Sequence, residues 1–386
     1  MDPRLTAEVE SLRQNTKNLV ATLLRYEREW AQTGLVPAVV DQQLAQLGYL
    51  GLTIPEEYGG LGLGALGAAI VLAELGRLPM AFYARVRGAA GIGTRILLRH
   101  GSEGQRRRWL PAIARGEVTT AFALTEPDAG SDVAGIKTMA VRDGDCYRLN
   151  GTKTYITNGH VADLVTVLAY TDRQQGPRGG MSAFLVEKGT LGFRVSALLK
   201  TMAGEPDVQA ELVFEDCRIP AENLLGQEGK GFYYAMECLE EGRLQLSGVA
   251  LGQGEFGLEE AVRYSRQRVA FGRPIAAFQA IQHMVADMAT ELYAAREMLI
   301  DAAWRYDQGE RVPARAAMVK LFCTEVAWRV VDRALQIHGG LGYIKGIPVE
   351  RLYREVRLLR IVEGTSEIQR NIIARYYLQG DHALLQ

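Results

Sequence analysis

Tyr147-Arg148-Leu149-Asn150-Gly151-Thr152-Lys153-Thr154-Tyr155-Ile156-Thr157-Asn158-Gly159 reads as strand and turn. Aromatic and β-branched residues alternate with polar ones, and both Asn-Gly pairs suit tight turns. The stretch lies in a segment, from about Val118 to Gly229, whose texture differs from both flanks. Leu164 to Tyr170, Ser182 to Lys188 and Glu211 to Phe214 are also rich in strand formers, with Gly and Pro between them. A mostly antiparallel β domain is expected there.

Helical texture lies on either side. Upstream, Glu8 to Glu29 and Val36 to Leu47 mix Leu with charged residues, while Leu66 to Leu75 and Ala90 to Leu98 use small residues suited to close packing. Gln105-Arg106-Arg107-Arg108 reads as a solvated helix start. Downstream, Leu239 to Ser265, Gln279 to Tyr306, Ala314 to His338 and Ser366 to Leu378 are long helices with short connections, the pattern of a four-helix bundle. The expected fold is α+β: an N-terminal helical domain (1–118), a central antiparallel β domain (119–229) and a C-terminal α-helical bundle (230–386).

Composition narrows the function. The 386 residues are 48% hydrophobic, enough for a substantial core, and the net charge of -1 favours neither nucleic acid nor an anionic membrane. No apolar run is long enough to span a bilayer. Met1-Asp2-Pro3-Arg4 opens a polar amphipathic helix rather than a signal peptide. Cys146, Cys217, Cys238 and Cys323 are scattered, with no ligand spacing, so neither a metal centre nor a disulfide framework is expected. A reduced, cytoplasmic protein is the expectation.

Two motif-like strings carry no chemistry. Gly62-Leu63-Gly64-Ala65-Leu66-Gly67 has the letters of a dinucleotide fingerprint, but helical sequence lies on both sides where a strand should precede it. Ser196-Ala197-Leu198-Leu199-Lys200 lacks the partner motifs of a serine-lysine site and reads as loop.

Other strings are more specific. In Thr125-Glu126-Pro127-Asp128-Ala129-Gly130-Ser131-Asp132, Pro127 and Gly130 force a tight turn that presents N–H groups and hydroxyls to a polar ligand. Tyr155 and Thr157 add an aromatic face and a hydroxyl suited to a flat heterocycle. Arg268-Val269-Ala270-Phe271-Gly272-Arg273-Pro274-Ile275 interrupts a helix shortly before Gln279; Arg268 suits a pyrophosphate and Phe271 an aromatic ring. Gln336-Ile337-His338-Gly339-Gly340-Leu341-Gly342-Tyr343 ends another helix in glycines that allow close approach of a ligand, and His338 alone reads as a satisfied helix-end histidine. Glu363 stands in Val362-Glu363-Gly364-Thr365-Ser366-Glu367, just before a helix whose Ser366 and Gln369 form a capping-box pattern. A carboxylate held in such a loop is either solvated or a base.

These five segments, in this order and spacing, resemble the acyl-CoA dehydrogenase family over nearly the whole chain. The resemblance implies an FAD enzyme assembled as a homotetramer, a dimer of dimers. It places Leu124, Thr125, Gly130 and Ser131 along FAD, with Ser131 also near substrate. Tyr155 would pack on the flavin ring, where relatives often have Trp, and Thr157 would hydrogen-bond it. Arg268, Phe271, Gln279, Gln336, Gly339 and Gly340 would complete the cofactor site, some from a neighbouring subunit, with Thr365 and Glu367 also facing FAD. Arg243 and Gly364 would lie near the acyl-CoA.

Glu363 matches the family's usual base, which removes an α-proton while the β-hydrogen leaves as hydride, giving a trans-2-enoyl-CoA. Relatives that carry the base on an earlier helix have it where this chain has Gly242, which leaves Glu363 as the candidate. The resemblance also implies electron-transfer flavoprotein as acceptor. Arg85, in Met80-Ala81-Phe82-Tyr83-Ala84-Arg85-Val86-Arg87-Gly88, falls where the family lines the distal acyl pocket. An inward Arg85 would favour an acyl group with a terminal anion, such as an ω-carboxylated one; the alternative is a solvated arginine, and a short acyl group is the other substrate expectation. Acyl-CoA oxidase, dehydrogenation on an acyl-carrier-protein and desulfinase-like chemistry use the same fold and remain as alternatives.

Overall fold

In the computed structural model, which describes residues 4–203 and 208–380, the middle of the chain forms an eight-stranded sheet. Its strands are β1 (Thr120–Ala123), β2 (Met139–Asp143), β3 (Cys146–Thr157), β4 (Leu164–Tyr170), β5 (Met181–Glu187), β6 (Phe193–Lys200), β7 (Val208–Pro220) and β8 (Leu224–Leu225). The order is β6-β7-β3-β2-β4-β5-β8, with β1 lying parallel to β4. The pairs β2–β3, β3–β7, β4–β5, β5–β8 and β6–β7 are antiparallel, so the sheet is mostly antiparallel as expected. Tyr147, Leu149, Phe184, Leu212 and Phe214 share one core, with the Tyr147 and Phe184 rings 4.9 Å apart. The Ser196–Lys200 stretch, read as loop, instead lies within β6. Its side chains alternate between exposed and half-buried, with none in the core, so the apolar signal that marks a strand is weak there.

Helices flank the sheet in sequence, as expected. By spatial proximity the chain forms two compact units. One comprises Gly34–Leu63 and Ala81–Leu239 and holds the sheet. The other comprises Met1–Thr33, Gly64–Met80 and Glu240–Gln386 and is helical. The division falls inside the long helix Gly231–Gln267.

In the helical unit, every residue of Ala65–Leu75 is buried. The Asp307 carboxylate accepts from the N–H groups of Ala65 (2.7 Å) and Leu66 (3.0 Å), satisfying donors that a helix start leaves open. The Gly62–Gly67 string therefore opens a buried helix, and the 3-10 turn Glu56–Tyr58, not a strand, precedes it. The long helices run over Gln279–Asp307, Pro313–His338 and Ser366–Leu378.

One helix was not anticipated. Pro348–Leu359 buries Glu350, Arg351 and Glu355. Arg351 donates to Glu27 (2.7 Å), Glu355 (2.7 Å) and the carbonyls of Leu78 and Arg77, so paired ions stand where sequence would suggest a solvated face. Met1 to Pro3 lie outside the described residues; the first helix is Ala7–Leu23, capped by Thr6. Arg106 and Arg107 pair with Glu103 on the surface of the helix Glu103–Ala114, which opens with a Ser102–Gln105 capping box. Among the described residues, no helix is long and apolar enough to cross a membrane.

Candidate active site

The sheet unit carries Leu124, Thr125, Gly130, Ser131, Tyr155, Thr157 and Arg85 of the expected site residues. Chain leaving β1 is tied to β3 by three bonds: Lys153 Nζ donates to Leu124 O (2.9 Å) and to Glu126 Oε1 (2.8 Å), and Thr154 N donates to Thr125 O (2.9 Å). The Glu126 carboxylate also accepts from the N–H groups of Lys137 and Thr138 (3.0 Å for the latter) and from the Thr138 hydroxyl. Burial alone would raise the Glu126 pKa; Lys153, Thr138 and the Lys137 amide more than offset it, and the net shift is downward. Lys153 is buried too, and burial pushes it down to about 8 against the pull of Glu126. A buried ion pair thus holds Leu124 and Thr125 beside the strand that bears Tyr155 and Thr157.

That strand is irregular where it matters. The β3–β7 register slips between Lys153 and Ile156, and Tyr155 has φ +58° there. The bulge turns its ring outward, 65% exposed. Tyr155 is thus an aromatic residue in the left-handed region, exposed beside the turn that carries Thr125 and Ser131. Thr157 Oγ1 donates to Gln209 Oε1 at 2.8 Å. Ser131 and Gly130 are exposed in the turn, and a side chain added at Gly130 would meet nothing within 4 Å. Arg85, in the same unit, has partners of its own: its guanidinium donates to Gly116 O and lies 3.8 Å from Asp41.

The helical unit carries Arg243, Glu363 and Gly364 among the expected site residues. Glu363 ends the turn after Pro348–Leu359 with φ +56°, and Gly364 follows at φ +93°. Glu363 Oε2 is buried without a hydrogen-bond partner. Arg243, on the helix Gly231–Gln267, is buried with its Nε also unpartnered. Burial lowers the Arg243 pKa, opposed by attraction to Glu363 and Glu240. Lys320, which sequence reading passed over, is buried, donates to Gly364 O at 2.8 Å and is also attracted by Glu363. The two acids beside Gly242 are engaged: Glu240 accepts from Val312 N (2.6 Å), and Glu241 from Gln245 (3.1 Å) and Tyr306 (3.4 Å).

The helix after Glu363 is capped one residue earlier than the sequence pattern suggested. Thr365 Oγ1 accepts from Ile368 N at 3.3 Å, whereas Ser366 donates to Glu325 (2.7 Å). Gln369 Nε2 turns back to the carbonyls of Glu363 (3.2 Å) and Gly364 (2.8 Å). Glu367 is exposed.

The remaining residues cluster at neighbouring helix ends of the same unit. Tyr264 stacks on His338 with ring centroids 4.4 Å apart, which brings the C-terminal ends of Gly231–Gln267 and Pro313–His338 together. Arg268 leaves one end, Gln336, Gly339 and Gly340 lie at the other, and all four are exposed. His338 Nδ1 lies 2.8 Å from Ala334 O, in keeping with a satisfied histidine. Arg268 leads into a two-stranded ribbon whose tip holds Phe271 at φ +50° and 94% exposed; Gln279 opens the next helix and is exposed.

Family models for the N-terminal, middle and C-terminal domains of acyl-CoA dehydrogenases match residues 6–117, 121–217 and 229–378. The chain belongs to the acyl-CoA dehydrogenase family. It is 41% identical to the acryloyl-CoA reductase (NADH) of Anaerotignum propionicum over 97% of this chain and 95% of that one. The solved butyryl-CoA dehydrogenase of Megasphaera elsdenii superposes with a TM-score of 0.93 at 35% identity, covering 98% of this chain and all of that one (100%). A solved FAD complex of PigA does so with the same score at 29% identity, covering 98% and 100%.

As a family member, the protein is an FAD-dependent oxidoreductase acting on a CH–CH group. Its own residues fit that cofactor. Tyr155 offers a flat exposed face, and Gly130, Gly339 and Gly340 leave open the space that a side chain would fill. Lys153 and Lys320 are residues that sequence reading missed, and Gln369 was read as a capping-box partner rather than as a donor to the Glu363 loop. A lysine or glutamine in a helical or alternating pattern looks like any solvated one until its burial is known.

Proposed function

We propose that this enzyme oxidises a short acyl-CoA thioester between its α and β carbons, with Glu363 as the base. The observation that carries this reading is the Glu363 carboxylate: one oxygen is buried without a donor, on a residue held in the left-handed region. A carboxylate oxygen that no protein group occupies is free to accept a proton. Arg243 and Lys320 are both drawn to the Glu363 carboxylate, so opposite charges gather within one unit.

Glu363 takes the α-proton, and the C–H electrons become the new double bond as the β-hydrogen departs with its pair. Bound FAD supplies the acceptor for that hydride. Tyr155 would stack on the isoalloxazine, and the Leu124–Ser131 turn would hold it with N–H groups and hydroxyls. Arg268 would take the pyrophosphate charge, with Phe271, Gln279, Gln336, Gly339 and Gly340 completing the cofactor site in a homotetramer. Arg243 and Gly364 would lie along the acyl-CoA.

A short, unsubstituted acyl chain is favoured over a carboxylated one because Asp41 and Gly116 already answer the Arg85 charge. The names of the acryloyl-CoA and butyryl-CoA relatives point the same way. Electrons would pass on to electron-transfer flavoprotein.

Anaerobic titration of the FAD-loaded protein tests this. Butyryl-CoA should bleach the visible flavin band more readily than long-chain or ω-carboxylated thioesters. Glu363→Gln should retain FAD yet lose roughly 10²–10⁴-fold in reduction rate, the range of a lost general base. Near-normal reduction by Glu363→Gln would overturn the base, and preferential reduction by a carboxylated thioester would overturn the substrate.

A further inference from the structure

Two buried donors grip the backbone that carries Glu363. Lys320 lies in the first half of the helix Pro313–His338, and its Nζ donates to Gly364 O at 2.8 Å. Gln369, in the helix that follows Glu363, is also buried; its Nε2 donates to the same carbonyl at 2.8 Å and to Glu363 O at 3.2 Å. Gly364 O thus takes two donors, one for each lone pair.

An ammonium at a core position is expensive. Burial pushes Lys320 down to about 8; attraction to Glu363 opposes that shift, and repulsion from Arg243 adds to it. A helix position facing the core is ordinarily filled by Leu or Met, so packing alone does not explain a lysine here. Gln369 shows the same asymmetry: its Oε1 is buried without a partner, so its amide is satisfied only on the side that faces the loop.

The loop has a corresponding need. Glu363 and Gly364 are consecutive residues at φ +56° and +93°. The left-handed region disfavours a residue with a Cβ, and such a conformation persists only where its surroundings over-determine it. A side chain at position 364 would meet Gln369 Nε2 at 2.6 Å, so the grip also requires glycine there.

We propose that Lys320 and Gln369 are positioning residues for the base. They clamp the carbonyls of Glu363 and Gly364, fix the left-handed turn, and so keep the Glu363 carboxylate from relaxing onto a protein donor. The role rests on the assignment of Glu363 as base.

Lys320→Met tests it, because Met keeps most of the side-chain length and removes the donor. In the FAD-loaded enzyme, the anaerobic rate of flavin reduction by saturating butyryl-CoA should fall on the order of 10²-fold, as expected when a reacting group shifts by about 1 Å. The dissociation constant for butyryl-CoA, from the same titration, should stay within about twofold. Introduced into Glu363→Gln, the same replacement should slow reduction no further, since no base remains to be positioned. A single variant within about threefold of wild type, or an equal extra loss in the Glu363→Gln background, would overturn the proposal.

Should Lys320→Met fail to load FAD, Gln369→Met decides by the same measurements, since it removes one donor from each carbonyl. An inactive Glu363→Gln beside a fully active Lys320→Met overturns this inference alone. A fully active Glu363→Gln removes the base assignment and this inference with it.

Discussion

Lys153 and Glu126 show what single residues contribute to the sheet unit. The pair is buried, and its hydrogen bonds reach Leu124, Lys137 and Thr138, so it braces the turn that carries Thr125 and Ser131. Removing one partner of a buried ion pair leaves the other uncompensated. Lys153→Met should therefore destabilise the protein by about 3 kcal/mol in urea denaturation and release FAD on gel filtration. An unchanged midpoint with full FAD would show that the brace is dispensable. The lysine also makes stability depend on pH in a stated direction. Its folded pKa lies at about 8, below the ordinary 10.5. Between those values the unfolded chain holds a proton that the folded chain has released, so this contribution is present above the window and lost as pH falls through it. The stability gap between wild type and Lys153→Met should widen from about pH 8 to pH 10. Glu363 could be picked out in the sequence because a Gly and a helix start mark its loop. Lys153 and Lys320 could not, because nothing local distinguishes a buried lysine from a solvated one.

Between elements, glycine permits a backbone-to-backbone approach in the helical unit. A Cβ at Gly252 would lie 1.7 Å from Ala73 O, and one at Gly248 would lie 2.3 Å from Ala69 O. The helix Ala65–Leu75 thus packs backbone to backbone against Gly231–Gln267, and the small residues read from its sequence serve that contact. Gly252→Val has no side-chain adjustment that relieves the clash, since the obstacle is a carbonyl. It should destabilise by about 3 kcal/mol or more, the upper range for overpacking, read as a lowered Tm. An unchanged Tm would mean that the helices separate freely. Helix extents were largely legible, as Ser366–Leu378 shows, because apolar periodicity and turn residues are local. The cap at Thr365 and the bulge at Tyr155 were not. Two hydroxyls in succession compete for one cap, and Glu325 draws Ser366 away; the bulge depends on how β3 pairs with β7.

At the scale of the molecule, the exposed aromatics are the feature that a lone chain leaves unexplained. Phe271 (94% exposed, at positive φ) and Tyr343 (86%) both lie in the helical unit. In the proposed homotetramer such groups would be covered. Sedimentation should show four copies of the chain, and a monomer at working concentration would sink that assembly. Phe271→Ser should weaken FAD binding by about tenfold with little change in Tm, because the exposed ring meets Phe278 edge-on at 6.0 Å and is not buried in the core. Unchanged FAD affinity would remove Phe271 from the cofactor site. The order helix, sheet, helix was determined by the sequence alone, as were the turn at 125–132 and the acid in its glycine loop, since each is written in neighbouring residues. Only the tertiary structure decided which charges are buried and which loop they hold. Lys320 meets a carbonyl 44 positions away, and Arg351 meets Glu27 at a separation of 324. Burial is set by packing between distant segments, and no local pattern records it.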